Sequence, residues 1–251
     1  MRHFIRFCFG IALLAAAMST PQSAQAQSIS SLRADALSSL LKGEPDDAVI
    51  AADKMVKAYP DDTRAMRLAG DIYLRSGKPL WSTRMFKRYL EEQPKKRPEL
   101  WQNGIALYFT GDYKEAAAQF EVHREVNPHD VENAAWHFLC IAKAKSFATA
   151  KKKLLPAPDD SRVPMEEVLQ MLKTGDTDAV DKAVNKTKVD SDERESAVFY
   201  GDFYLGLYAD ARGDSEKAKK YMRRAAEDAP RNYMGDIARV YAKHLEDRLE
   251  L

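Results

Sequence analysis

Residues 63–96, TRAMRLAGDIYLRSGKPLWSTRMFKRYLEEQPKK, and residues 97–130, RPELWQNGIALYFTGDYKEAAAQFEVHREVNPHD, decide the fold, because they are two copies of one 34-residue pattern. Met66, Ala69, Gly70 and Tyr73 mark one face of a first helix. Leu100, Gly104 and Leu107 take the equivalent places in the second copy. Gly77 and Gly111-Asp112 make the turns. Ser82, Phe86 and Tyr89, then Ala116, Phe120 and His123, line a second helix, which Pro94 and Pro128 end. Each position has a local cause. A glycine eighth in the pattern carries no Cβ and lets the two helices approach. Asp112 suits the N-cap of the second helix, where a carboxylate accepts from unpaired amides. Proline lacks an N–H and turns the chain out of the helix.

The pattern extends in both directions. Residues 29–62 form a weaker copy, with Leu32 and Ala36 in the first helix, a Gly43-Glu44-Pro45 turn, then Ala48, Ala52, Met55 and Pro60. Residues 199–232 form a clearer one, with Leu205, Gly206, Gly213-Asp214, Ala218, Met222, Ala225 and Pro230. Pro230 lies 102 residues beyond Pro128, three whole periods. The interval should therefore hold two divergent helix pairs, at 131–164 and 165–198. Their helices are expected at 132–145 with 147–155, and at 165–173 with 177–184. After Pro230, Ile237, Tyr241, His244 or Leu245, and Leu249 recur at helical spacing between charged residues, which predicts a polar-faced capping helix over 233–251. No alternating strand pattern competes.

A period of 34 with these signature positions resembles the tetratricopeptide (TPR) repeat. The second half is also similar to NlpI-type bacterial envelope TPR proteins, through Trp136-His137-Phe138-Leu139, a degenerate 152–180 segment, and Phe199-Tyr200-Gly201-Asp202-Phe203-Tyr204-Leu205-Gly206. The resemblance implies an all-α, right-handed superhelix of antiparallel helix pairs with a C-terminal capping helix. It also implies a non-enzymatic adaptor that scaffolds envelope proteases and peptidoglycan hydrolases. Members of that type carry a lipid anchor, for which this sequence has no convincing acceptor: Cys8 lies near the start of the apolar run.

The first 26 residues read as a cleaved export signal, with Arg2, His3 and Arg6, an apolar run from Phe7 to Met18, and Ala24-Gln25-Ala26. The protein is thus expected in the periplasm without a stable membrane anchor, as a single repeat domain over 27–251. Removing Arg2 and Arg6 takes Lys and Arg from 39 to 37 against 38 acids. That balance gives no reason to expect nucleic acid. Cys140, in the apolar run 136–141, is expected to pack rather than react.

In the implied superhelix the first helices line the concave face. Their inward positions are Arg64, Arg67, Asp71, Leu74 and Arg75 in one repeat, and Pro98, Trp101, Ile105, Tyr108 and Phe109 in the next. Arginines would meet carboxylates or phosphates, while Trp101 and Tyr108 offer anchoring surface. The competing reading has the arginines solvating a face and Trp101 packing between repeats. Tyr200, Phe203, Leu207 and Asp210 make a second, weaker groove candidate. The lysine and asparagine clamp of eukaryotic chaperone-tail TPR domains has no counterpart, since Gln102, Glu132 and Trp136 stand where it would be.

His123, His129, Asp130, Glu132 and His137 could be imagined as a metal cluster. His123 and His137 nevertheless fall at packing positions, so buried hydrogen-bonding histidines are expected and no cofactor is. The basic groups 95–97, Lys143, Lys145 and 151–153 read as solvated faces. The expected function is an exported scaffold that binds a protein or peptide. The alternatives are a helical envelope enzyme or metal-binding protein using His123 and His137, and a structural repeat protein that self-associates as a homo-oligomer.

Overall fold

The computed structural model describes residues 27–247. The export-signal reading of residues 1–26, and Leu249 of the expected last helix, lie outside the described residues. Among the described residues the secondary structure is entirely helical: α1 (Ile29–Lys42), α2 (Pro45–Ala58), α3 (Thr63–Arg75), α4 (Pro79–Glu92), a short 3-10 helix (Pro94–Glu99), α5 (Trp101–Phe109), α6 (Tyr113–His123), α7 (Val131–Ala144), α8 (Phe147–Lys152), α9 (Met165–Thr174), α10 (Asp178–Lys186), α11 (Asp192–Ala211), α12 (Ser215–Glu227) and α13 (Tyr233–Asp247). Consecutive helices pack on one another in pairs.

Local chemistry sets the boundaries. Pro45 and Pro79 open α2 and α4, where a missing N–H costs nothing. The Asp62 carboxylate accepts from Arg64 and Ala65 amides at 2.8 and 3.0 Å, and Asp130 accepts from the Glu132 amide at 3.0 Å. Asp112 occupies the N-cap of α6, but its side chain takes a hydrogen bond from the Thr110 hydroxyl (3.3 Å) rather than from a helix amide. The close approach expected at the glycines is present. A Cβ at Gly70 would sit 2.6 Å from the Phe86 ring, and one at Gly104 2.6 Å from the Phe120 ring.

The divergent middle holds both expected helix pairs, with altered lengths. Helix α8 ends at Lys152 rather than 155; Pro156 disfavours a helical conformation at Leu155 itself. Helix α5 starts only at Trp101, since Pro98 sits inside the 3-10 helix. Helix α11 begins at Asp192, two turns before Phe199, where the Ser191 hydroxyl accepts from the Arg194 amide at 3.2 Å. Helices α7, α9 and α11 all touch one another, so the α9–α10 pair does not hold α7 and α11 apart as a full intervening repeat would.

The core divides in two. Leu32, Ala36, Leu40, Ala52, Met55, Ile72 and Tyr73 form a smaller cluster among α1, α2 and one face of α3. A larger cluster runs from Met66 and Leu74 through Phe120, Trp136, Phe203 and Tyr204 to Ile237 and Tyr241. Helix α13 belongs to the larger one, and packs on α3 as well as on its sequence neighbour α12.

Candidate binding face

The first helices α1, α3, α5 and α7 touch in succession and share a face. Much of that face is already covered by α13. Arg75 donates from Nε to the Asp236 carboxylate at 2.9 Å, a second guanidinium nitrogen also stands 2.9 Å away, and the guanidinium lies 5.2 Å over the Tyr233 ring. The Trp101 ring meets Tyr233 at 4.8 Å between centroids, in an edge-on pairing favoured by aromatic quadrupoles. Ile105 and Tyr108 are fully buried.

The sequence-level candidates therefore separate. Arg75, Trp101, Ile105 and Tyr108 are brought together, but under the chain's own last helix rather than on open surface. Arg64 turns toward α1 and donates to the Ser30 hydroxyl at 3.2 Å. Arg67 and Asp71 stay on an open pocket of about 250 Å³, joined by Arg33 from α1, Gln102 from α5 and Tyr233 from α13. Gln102 Oε1 is buried there without a hydrogen-bond partner, while the Asp71 carboxylate and the Tyr233 hydroxyl lie against each other. Burial pushes the Asp71 carboxyl above the usual carboxylate range, against the opposing pull of Arg75, the neighbouring Tyr233 hydroxyl, Arg67 and Arg33. Arg33 and Arg67 close on no carboxylate among the described residues. The pocket thus offers two cations to an anion and one buried acceptor, Gln102 Oε1, to a donor.

Tyr108 leads into the centre of the molecule. Its hydroxyl donates to Asp210 at 2.6 Å, as does the Tyr241 hydroxyl at 2.7 Å, while the Lys143 ammonium stands 2.5 Å from the same carboxylate. Asp210, with Phe203 and Leu207, is buried core, so the second groove candidate is interior rather than surface; Tyr200 alone is partly exposed, beneath the Arg162 guanidinium. Lys143, read as part of a solvated face, is instead the counter-ion of this carboxylate.

The histidine cluster resolves into separate contacts. His123 Nδ1 pairs with the Pro98 carbonyl at 2.7 Å and His137 Nε2 with Glu121 at 3.1 Å. Burial lowers the His137 pKa, against the raising influence of Glu121. Asp130 and Glu132 are engaged by Arg162 from the loop before α9, and Glu132 accepts from the Tyr204 hydroxyl at 2.7 Å. Among the described residues no group of three or more His, Cys, Asp or Glu side chains converges in a way that could hold a metal. Cys140 is buried, which pushes its thiol pKa up and leaves it a packing group. No described helix is long and apolar enough to cross a membrane.

Sequence reasoning missed the role of α13. Its signal was Asp236, an acid set inside the stripe formed by Tyr233, Ile237, Tyr241 and His244; a merely capping face has no use for a carboxylate there. Arg33 was missed because its partners lie on α3 and α5, which periodicity alone does not bring to α1. No protein-family model matches this chain, and no curated protein sequence does either.

Proposed function

We propose that the protein is a non-enzymatic TPR adaptor, exported to the periplasm, that binds an acidic segment of a partner protein on the concave face of its first helices. The observation that carries this reading is the Arg33–Arg67–Asp71–Gln102 pocket, which remains open beside α13. Carboxylates of the segment meet Arg33 and Arg67, and charge-assisted bonds of this kind are the strong ones. A main-chain N–H of the segment satisfies Gln102 Oε1, whose burial without a partner is otherwise costly. Helix α13 supports the reading a second way. Arg75 holds the Asp236 carboxylate and Trp101 the Tyr233 ring of a helix within the same chain, so the face has the chemistry to hold such groups.

The scaffold role within envelope proteolysis or assembly follows from the NlpI-type resemblance, and the export from residues 1–26. Selection of a random peptide library on the folded protein tests the site. Enrichment of Asp- and Glu-bearing sequences is expected, with loss of their binding in Arg33→Glu/Arg67→Glu while the circular dichroism spectrum is kept. Failure to enrich acidic peptides, or enrichment indifferent to the double charge reversal, would overturn the proposal.

A further inference from the structure

A cleft of about 590 Å³ opens where the α1–α2 and α3–α4 turns face α13, and it shares only Arg75 with the pocket described above. Its wall gathers six cations, Lys42, Arg75, Lys78, Arg231, Arg239 and Lys243, against the carboxylates of Asp46, Asp236 and Asp247. The whole chain, by contrast, carries a formal net charge of only +1. Some of this excess is compensated. Arg75 and Arg239 both close on Asp236, at 2.9 and 3.0 Å, and Lys78 stands 3.8 Å from Asp46. Lys42, Arg231 and Lys243 close on no carboxylate among the described residues. They come from three different places: the end of α1, the α12–α13 connection and the body of α13. The Arg231 guanidinium lies against the α1–α2 turn, where a Cβ on Gly43 would meet its Nη1 at 2.9 Å.

Two further features point to a ligand. Ser76 is 9 % exposed and lines the cleft, yet its hydroxyl has no hydrogen-bond partner. A buried hydroxyl is ordinarily satisfied. Leu40, Phe109 and Val240 add apolar wall beside the cations. The volume falls within the roughly 300–1,000 Å³ usual for small-molecule sites, well beyond what an inorganic ion fills.

We propose that this cleft binds an organic phosphate. Lys42, Arg231 and Lys243 approach the phosphate oxygens from three sides, the Ser76 hydroxyl donates to the same anion, and the organic part covers Leu40, Phe109 and Val240. A tetrahedral anion suits donors on three separate elements better than a planar carboxylate, which favours a single paired fork. A soluble phosphate ester and a phospholipid headgroup present the same chemistry, so the test must separate them.

Titration calorimetry of the full chain with inorganic pyrophosphate at low ionic strength should give one binding site. Lys42→Glu/Lys243→Glu should weaken it at least tenfold. Lys151→Glu/Lys152→Glu, an equal charge change on α8 outside the cleft, should leave it within about twofold, as expected of screened distant charges. Lys42→Gln/Lys243→Gln, milder for folding, should show a smaller loss in the same direction. No binding to the wild type, or equal losses in the cleft and α8 variants, overturns the proposal. Flotation with phosphatidylglycerol vesicles assigns the source. Binding that pyrophosphate displaces and Lys42→Glu/Lys243→Glu abolishes identifies a lipid headgroup, while calorimetric binding without flotation identifies a soluble ester. Flotation that persists in the cleft variant places phosphate recognition elsewhere and overturns the assignment.

Discussion

Asp210 shows how much can rest on a single side chain. One buried carboxylate takes Tyr108 from α5, Lys143 from α7 and Tyr241 from α13, across sequence separations of 102, 67 and 31 residues. Replacing it with alanine leaves an ammonium and two hydroxyls without their acceptor. Asp210→Ala should therefore cost about 3–5 kcal/mol in urea unfolding, against about 1.5–3 kcal/mol for Tyr241→Phe, which removes one donor to the carboxylate. Asp202 supplies a second test. Burial pushes its pKa from the ordinary 3.8 up to about 6, with Arg224 pulling it down and Asp181 adding to the rise. The folded state therefore binds this proton more tightly than the unfolded one. Asp202 costs stability above pH 6, and the cost fades as pH falls toward 4. Wild type should accordingly gain on the order of 2 kcal/mol relative to Asp202→Asn between pH 7.5 and 4.5, read as paired unfolding curves. Neither aspartate was legible as interior from the sequence. Asp202 and Asp210 stand in an aromatic, small-residue stretch, but nothing local says that lysine, arginine and tyrosine partners arrive from other helices.

Single helix pairs were far easier to read, because their determinants are neighbours in sequence. Gly70 with Phe86, and Gly104 with Phe120, sit sixteen residues apart in both hairpins. A 34-residue ruler finds them without any knowledge of the rest of the fold. Gly104→Ala places a methyl 2.6 Å from the Phe120 ring, and such overpacking costs about 1–3 kcal/mol. Combining it with Phe120→Leu should recover part of that loss. A double-mutant cycle by thermal unfolding should show about 1 kcal/mol or more of favourable coupling, and strict additivity would show that the two do not meet. Where the ruler failed, a local signal had been outranked by the period. Ser191 followed by Asp192 and Glu193 is a good helix start, yet counting back from Pro230 placed that boundary at Phe199. Pro98, set inside the 3-10 helix, likewise delays the start of α5 by a steric rule that a consensus pattern does not contain.

At the scale of the molecule, the fold class was readable and the closure was not, since α13 reaches α3 through contacts such as Arg75–Asp236, 161 residues apart. This closure has a consequence for cooperativity, because α13 contributes to the larger core and not to the cluster of α1, α2 and the outer face of α3. The two cores meet within α3, whose Met66 and Leu74 face one and whose Ile72 and Tyr73 face the other. Regions with separate buried contacts open as separate units, with free energies set by their own packing. Met55 is fully buried in the smaller core and Tyr241 in the larger. Truncating either to alanine should cost about 2–5 kcal/mol locally. Hydrogen exchange followed by mass spectrometry distinguishes the two. Met55→Ala should accelerate exchange in α1 and α2 while α7 and α11 keep their protection. Tyr241→Ala should do the reverse, loosening α5, α7, α11 and α13 and sparing α2. Uniform acceleration in both variants would mean that α3 couples the cores into one unit. In that case α13, although it contributes nothing to the smaller core, would stabilise the N-terminal pair as strongly as its own neighbours.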